Sequence, residues 1–292
     1  MPLILHIGFH KTGSTALQEF FERERDNLSG RNIVVPKGLS SWLGHPELSW
    51  ICQADRLPWQ DRDYDSKDVL EHYRPYLELS RSAQTTVILS SEEFCRLEFR
   101  FQTMAAVNQI LGDYRPIVVG YFRNPMAFLL SRYRHEVQNG HEFRSLRDFL
   151  LDVGNLLSAK FDFRCQMWDD LLDGRCLFRN YDLLDPSSSI VDNFFSLIGV
   201  NDIRSPRGDT TEIKIDVRMI DVFRALAASK LPKKDKSLLM GKMFLISEQL
   251  LDGDIRALIK SAGMAQEFDT LFASLTNDSI STDRTYEEIL KR

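Results

Sequence analysis

The sequence has no long apolar run. Nothing in it approaches the roughly 20 residues needed to cross a bilayer. The short apolar stretch at its start, Leu3-Ile-Leu-His-Ile7, is broken by His6 and lacks the basic leader and cleavage site of a secretory signal. Cysteine is scarce: Cys52, Cys95, Cys165 and Cys176 lie far apart with no C-x-x-C pair. That argues against a zinc site or a disulfide framework and points to a reduced compartment. No sign of charge dominates either. The formal net charge is −5, so no global field favours nucleic acid or an anionic membrane surface, and any anion binding must be local. There is no internal repeat and no low-complexity tract. What is present is 292 residues, 43% apolar and 27% charged, an ordinary globular composition with enough chain for a full core. The reading is a soluble, cytoplasmic protein of one domain, 1–292, with a core over about 1–205 and a helical part over about 206–292.

Short β-rich runs alternate with helical patterns. Leu3–Ile7, Asn32–Val35, Thr86–Leu89, Pro116–Phe122 and Arg175–Phe178 read as strands. Helices are expected from Ser14 onward, over 66–82 with Pro75 as a possible kink, over 99–112, from Asn124-Pro125, over 187–199, and from about 215 onward. Asn124 is placed to cap its helix with Pro125 at the first turn. Residues 38–65, with Trp42, Trp50 and Trp59, show little periodicity and read as a long loop of the kind that often carries function. Strands separated by helices predict a three-layer α/β/α fold around a central parallel sheet. Ligands of such sheets bind at the carboxyl ends of the strands, and Lys11, Glu92, Glu93, Arg123 and Tyr181 all follow strand ends.

The stretch Gly8-Phe-His-Lys-Thr-Gly-Ser-Thr15 turns a strand into a helix through two glycines. Such a turn aims successive backbone N–H groups, and the positive end of the helix, at one point. Lys11 adds a charge; Thr12, Ser14 and Thr15 add hydroxyls. A nucleoside-triphosphate loop has the form G-x-x-x-x-G-K-[ST]. Here the glycine spacing matches, but Lys11 sits inside the loop and Ser14 follows Gly13 directly, and no acidic partner of the Walker B kind follows a strand. A second motif, Arg123-Asn-Pro-Met-Ala-Phe-Leu-Leu-Ser131, pairs a strand-end arginine with a helix serine; together they suit one phosphate.

Together these motifs resemble the sulfotransferases that use 3′-phosphoadenosine 5′-phosphosulfate (PAPS). That family's 5′-phosphosulfate loop, (P/H)-K-(T/S)-G-(T/S)-T, is matched by His10–Thr15, and its 3′-phosphate motif, R-(D/N)-P-x₅-S, by Arg123–Ser131. Bacterial members continue K-T-G-(T/S)-T-x-L-Q, as here through Leu17-Gln18. Phe178-Arg-Asn-Tyr-Asp-Leu183 is an imperfect match to the family's strand followed by Y-(E/D)-D-L. The resemblance covers roughly residues 3 to 200. It departs from the family at His10, where proline is usual, and in lacking an evident glycine-rich C-terminal cofactor loop; Arg204-Ser-Pro-Arg-Gly-Asp209 is a candidate substitute.

The resemblance implies a P-loop-NTPase-like fold and transfer of a sulfuryl group from PAPS to a hydroxyl or amine, leaving PAP, with no metal. It implies cofactor contacts from Lys11, Thr12, Gly13, Ser14, Thr15, Arg123, Ser131, Tyr181 and, in the substitute loop, Arg207. Lys11 would stabilise the leaving phosphate, and His10 is a further catalytic candidate. The general base lies among Glu92, Glu93, His10 and His45. Position after the third strand favours Glu92, with Glu93 on the opposite side or paired to an arginine; equally, both glutamates could cap the next segment or bind Arg96 or Arg100. The acceptor is a small molecule, lipid or glycan. The tryptophans either stack a sugar or simply anchor the core. His135, His141 and the run Lys230–Lys236 read as ordinary surface. A nucleotide-dependent kinase and a non-catalytic anion-binding protein are the alternatives, and the oligomeric state is open.

Overall fold

A computed structural model of the protein describes residues 2–9, 11–53, 57, 60–96, 101–185 and 187–205, with Arg224, Pro232, Lys234, Arg284, Thr285, Glu288 and Ile289. Their elements run β1 (Leu3–Gly8), α1 (Ser14–Arg23), α2 (Arg25–Ser29), β2 (Ile33–Val34), α3 (Pro46–Trp50), α4 (Ser66–Leu79), β3 (Thr86–Ser90), α5 (Glu93–Arg96), α6 (Phe101–Leu111), β4 (Ile117–Phe122), α7 (Pro125–Gln138), α8 (Leu146–Leu150), α9 (Val153–Ser158), α10 (Phe161–Leu171), β5 (Cys176–Asn180) and α11 (Ile190–Leu197). Where the sequence suggests one unbroken loop over 38–65, His45 and Pro46 start the short α3. The helix expected over 66–82 stops at Leu79. The helical pattern from about 215 lies outside the described residues.

The five strands form one sheet in the order β2-β3-β1-β4-β5, and every pair is parallel. This is the α/β fold with a helix-flanked parallel sheet that the alternating pattern predicts. All six residues of β1 and of β4 are buried, the signature of strands covered on both faces. Because β1 lies between β3 and β4, the chain reverses its direction of travel across the sheet there. The carboxyl ends of these three strands border the crevice where ligands of open α/β sheets bind.

On one sheet face Ile4, Ile88, Val119, Tyr121 and Leu177 pack against α1 and α11 through Leu17, Phe20, Phe21, Phe194 and Phe195. The Phe21–Phe194 and Phe20–Phe195 rings meet edge-on at 5.4 and 5.7 Å, the favoured aromatic geometry. Ile289 is fully buried in this cluster. Its carbonyl accepts from Arg175 Nη1 at 3.1 Å, while Arg179 Nη2 donates to the Arg284 carbonyl at 2.7 Å. The four cysteines are buried and free. Among the described residues no helix is long and apolar enough to cross a membrane.

The chain divides into two compact units: residues 1–123, 163–209 and 280–292, which hold the sheet, and residues 124–162 and 210–279. In the second, Asn124 Oδ1 caps α7 by accepting from the Met126 and Ala127 N–H groups at 2.9 and 3.1 Å. Tyr133 on α7 stacks on Phe149 of α8 and donates to the Arg144 carbonyl, and Arg144 pairs with Glu142 and Asp152.

Truncating Ile289 removes apolar volume from a closed site. Ile289→Ala is expected to lower stability by about 2–4 kcal/mol, read as a lower denaturant midpoint; an unchanged midpoint would exclude Ile289 from the core.

Candidate functional site

After Gly8 the chain turns through Phe9–Gly13 into α1. Lys11 and Gly13 both adopt left-handed backbone conformations, with φ of 65° and 83°. Gly13 tolerates this freely, whereas Lys11 holds a conformation that side chains disfavour. The buried Thr12 hydroxyl closes the loop by donating to the Phe9 carbonyl. Gly8 has no room for a side chain: a Cβ there would lie 1.9 Å from Ser14 Oγ and 3.3 Å from Glu92 Cβ. The strand end, the first residue of α1 and Glu92 therefore meet at one point. Ser14 is buried, and its Oγ has no hydrogen-bond partner among the described residues. Gly13 brings no side-chain cap, and no acidic residue occupies the first turn of α1. A helix start of this kind, with a buried unpartnered hydroxyl and a lysine beside it, is suited to an anion.

Arg123, one residue beyond β4, joins this loop. Its Nη1 donates to the Lys11 carbonyl at 3.2 Å, across 112 positions of sequence. Its Nη2 donates to Asp182 Oδ1 at 2.9 Å, and the guanidinium carbon lies 5.8 Å from the centre of the Tyr181 ring. Tyr181 in turn stands against Gly13, where a Cβ would meet Tyr181 Cε2 and Ile190 Cγ1 at 3.3 Å. Lys11, Gly13, Arg123 and Tyr181 thus lie in one cluster. Asp182, which fixes the arginine, was missed; its place in Tyr181-Asp-Leu183 was the available signal. Ser131 lies half-buried on α7, in the second unit. His10 and Arg207 lie outside the described residues.

Of the base candidates, Glu92 is half-buried beside Gly8. Glu93 begins α5 and is buried, and its Oε2 accepts from Trp50 Nε1 at 3.2 Å. His45 is unsuited to the role. Its Nδ1 accepts from the Ser90 N–H at 2.8 Å, so its proton sits on Nε2, which donates to the Pro36 carbonyl at 2.8 Å. Both nitrogens are thus committed to backbone, at the last residue of β3 and just after β2, and burial holds the ring below its ordinary pKa. The tryptophans divide. Trp50 is a buried anchor, Trp42 keeps 41% of its surface exposed, and Trp59 lies outside the described residues.

A cavity of about 380 Å³ opens beside Glu92, walled by Thr15 and Gln18 of α1, by Trp42 and Leu43 of the loop before α3, and by Pro46 at the start of α3. Beneath it, Gln18 Nε2 donates to Ser90 Oγ at 3.3 Å, and Ser90 Oγ lies 2.8 Å from His6 Nδ1. Among the described residues, no group of three or more His, Cys, Asp or Glu side chains is placed to hold a metal ion.

No family model and no curated protein matches the sequence. Among solved structures, a sulfotransferase from Alicyclobacillus acidocaldarius is similar, with a TM-score of 0.45 and 14% identity over 88% of this chain and 98% of that one. Similarity at that level says nothing about activity.

Burial drives the His6 imidazole down from 6.5 to about 4, although the Glu92 carboxylate opposes the shift. Between these values the unfolded chain holds the His6 proton and the folded protein does not. Stability from neutral His6 is therefore complete above pH 6.5 and is lost as the pH falls through about 4. Wild-type stability should fall more steeply across this window than that of His6→Gln, by at most about 3 kcal/mol. Parallel pH profiles of the two proteins in urea unfolding would contradict this.

Proposed function

We propose that the protein is a sulfotransferase that moves a sulfuryl group from PAPS to a hydroxyl or amine of a carbohydrate, lipid or small metabolite, releasing PAP. The observation that carries this reading is the hydrogen bond from Arg123 to the Lys11 carbonyl. It joins two sequence motifs, each suited to a phosphate, on one side of the sheet. Two phosphate-suited motifs brought together at the strand ends suit a nucleotide phosphorylated at both ends.

The residues fit such a group. The Ser14 hydroxyl, which has no partner among the described residues, and the uncapped start of α1 offer donors to a 5′-phosphosulfate. Thr12, Gly13, Thr15 and Lys11 complete that end. Arg123 offers its guanidinium to the 3′-phosphate, and Ser131 joins it on the strength of the sequence motif alone. Tyr181 supports Arg123 and faces the loop at Gly13. His10 and Arg207 keep their assignments from the motifs.

When bound, the nucleotide supplies a sulfuryl group carried on its 5′-phosphate. Lys11 and the loop N–H groups hold the negative charge that gathers on that phosphate, the larger catalytic contribution. Glu92, beside Gly8, accepts the proton of the acceptor hydroxyl and leaves its oxygen nucleophilic.

In calorimetry the protein should bind PAP more tightly than Mg-ATP. Failure to bind PAP would remove the reading, and preference for Mg-ATP would favour a kinase. Arg123→Ala should weaken PAP by more than about tenfold, since charged hydrogen bonds are the strong ones, while binding of the analogue lacking the 3′-phosphate changes much less. Equal losses would take Arg123 off the 3′-phosphate. Glu92→Gln should lower kcat by about 10²–10⁴-fold, the usual contribution of a positioned base, with PAP affinity unchanged. A kcat near wild type would reassign the base.

A further inference from the structure

The cavity beside Glu92 has two unlike walls. One is polar and comes from α1: Thr15, next to the phosphate loop, and Gln18 one turn further on. The other is mostly apolar and comes from the loop before α3 and the first residue of α3: Trp42, Leu43 and Pro46, with Ser41. Its volume of about 380 Å³ is near the lower end of ligand pockets, about 300–1,000 Å³, and suits one ring rather than an extended chain.

Both walls are held in place before any ligand arrives. The Gln18 amide nitrogen is committed to Ser90 Oγ at 3.3 Å. Ser90 Oγ also lies 2.8 Å from His6 Nδ1, so the hydroxyl that receives the amide is itself held by β1. Gly44 closes on the amide from outside: a Cβ there would lie 2.9 Å from Gln18 Nε2 and 2.4 Å from the Ser90 carbonyl oxygen. With its nitrogen committed to Ser90, the acceptor the amide has left is its carbonyl oxygen, and Gln18 lines the cavity. On the other wall, Trp42 meets the edge of Trp50 at 6.0 Å, and Trp50 is anchored through its N–H to Glu93. Ser41 ties the same segment to Asp61 through two hydrogen bonds of 2.9 and 3.0 Å.

We propose that this cavity holds the acceptor, and that Gln18 and Trp42 select a cyclic polyol: a ring with a second hydroxyl beside the reacting one and an apolar face. The reacting hydroxyl meets Glu92, its neighbour donates to the Gln18 carbonyl, and the C–H face of the ring lies on Trp42. A phenol, sterol or long-chain alcohol leaves the Gln18 carbonyl unpartnered, which a buried polar group disfavours. The proposal rests on the sulfuryl-transfer reading for which hydroxyl reacts, but the binding of the ring does not.

The test uses the full-length protein saturated with PAP. Binding of methyl glycosides and myo-inositol, and of phenol, 2-naphthol and 1-octanol, is measured by saturation-transfer NMR. Transfer to the same compounds from radiolabelled PAPS is measured in parallel. The polyols should bind and accept sulfate. Gln18→Leu should raise their KM about tenfold, the scale of one buried hydrogen bond, with kcat changed less and PAP affinity within about twofold of wild type. Ser90→Ala should raise KM in the same direction by releasing the amide. Trp42→Ala, a change at a largely exposed side chain, should weaken polyol binding without altering PAP affinity. Preference for the monohydric compounds, or polyol binding indifferent to Gln18 and Trp42 alike, would overturn the proposal. Should PAP fail to bind while polyols still bind in a Gln18-dependent way, the transfer reading falls and the cavity assignment stands.

Discussion

At the carboxyl end of β1 the backbone passes so close to α1 and to Glu92, two residues past β3, that no side chain fits. A single methyl group on Gly8 would overlap the Ser14 hydroxyl. The close approach matters because three things would otherwise lie further apart: the start of the helix, the buried hydroxyl, and Glu92. A larger residue would push α1 off the sheet, and α1 is held there by Leu17, Phe20 and Phe21 packing against the phenylalanines of α11. The aromatic cluster and the glycine therefore work as a pair. One pulls the helix down, and the other removes what would hold it off.

The same packing explains the polar residues buried on that face. Ser90 ends β3 and His6 stands beside it on β1, paired in register. Both point toward α1, whose apolar stripe would leave their polar atoms unsatisfied. Gln18 resolves part of this by reaching down to Ser90. His6 remains with a nitrogen that has no partner among the described residues and is kept neutral by its surroundings. A fully buried ring held at such a cost to its basicity is a rigid wedge between strands and helix, and it fixes the orientation of the group above it.

Much of this was legible in the sequence, for identifiable reasons. The order of strands and helices follows from apolar runs of different period, and the cap at Asn124 from Asn-Pro. The two stretches proposed to bind anions stand out in the sequence because the chemistry suggested for them depends on local spacing: glycines at a turn, and an arginine at a strand end. The failures share a cause. His45 stands among the base candidates, behind Glu92, because a histidine in a tryptophan-rich loop carries no local sign of burial; its partners, Pro36 and Ser90, are reached only through the fold. Asp182 and Gln18 went unassigned for the same reason. Their roles come from a residue on another strand or helix, and no spacing within the chain encodes that.

Lys11 shows how the fold divides one residue between two tasks. Its left-handed backbone turns the carbonyl toward Arg123, a conformation disfavoured for any residue with a Cβ. A lysine on the helix itself, as in nucleoside-triphosphate loops, has its carbonyl inside the helical hydrogen-bond ladder, where it has no such freedom. Moving the lysine into the turn thus does more than reposition an ammonium group. It frees a backbone acceptor that ties the arginine of β4 to the loop of β1, and Asp182 holds that arginine from the other side. The Arg123 guanidinium is thereby held against the loop of β1 on one side and by Asp182 on the other. That is the kind of constraint needed if the ligand carries two anionic groups at a fixed separation.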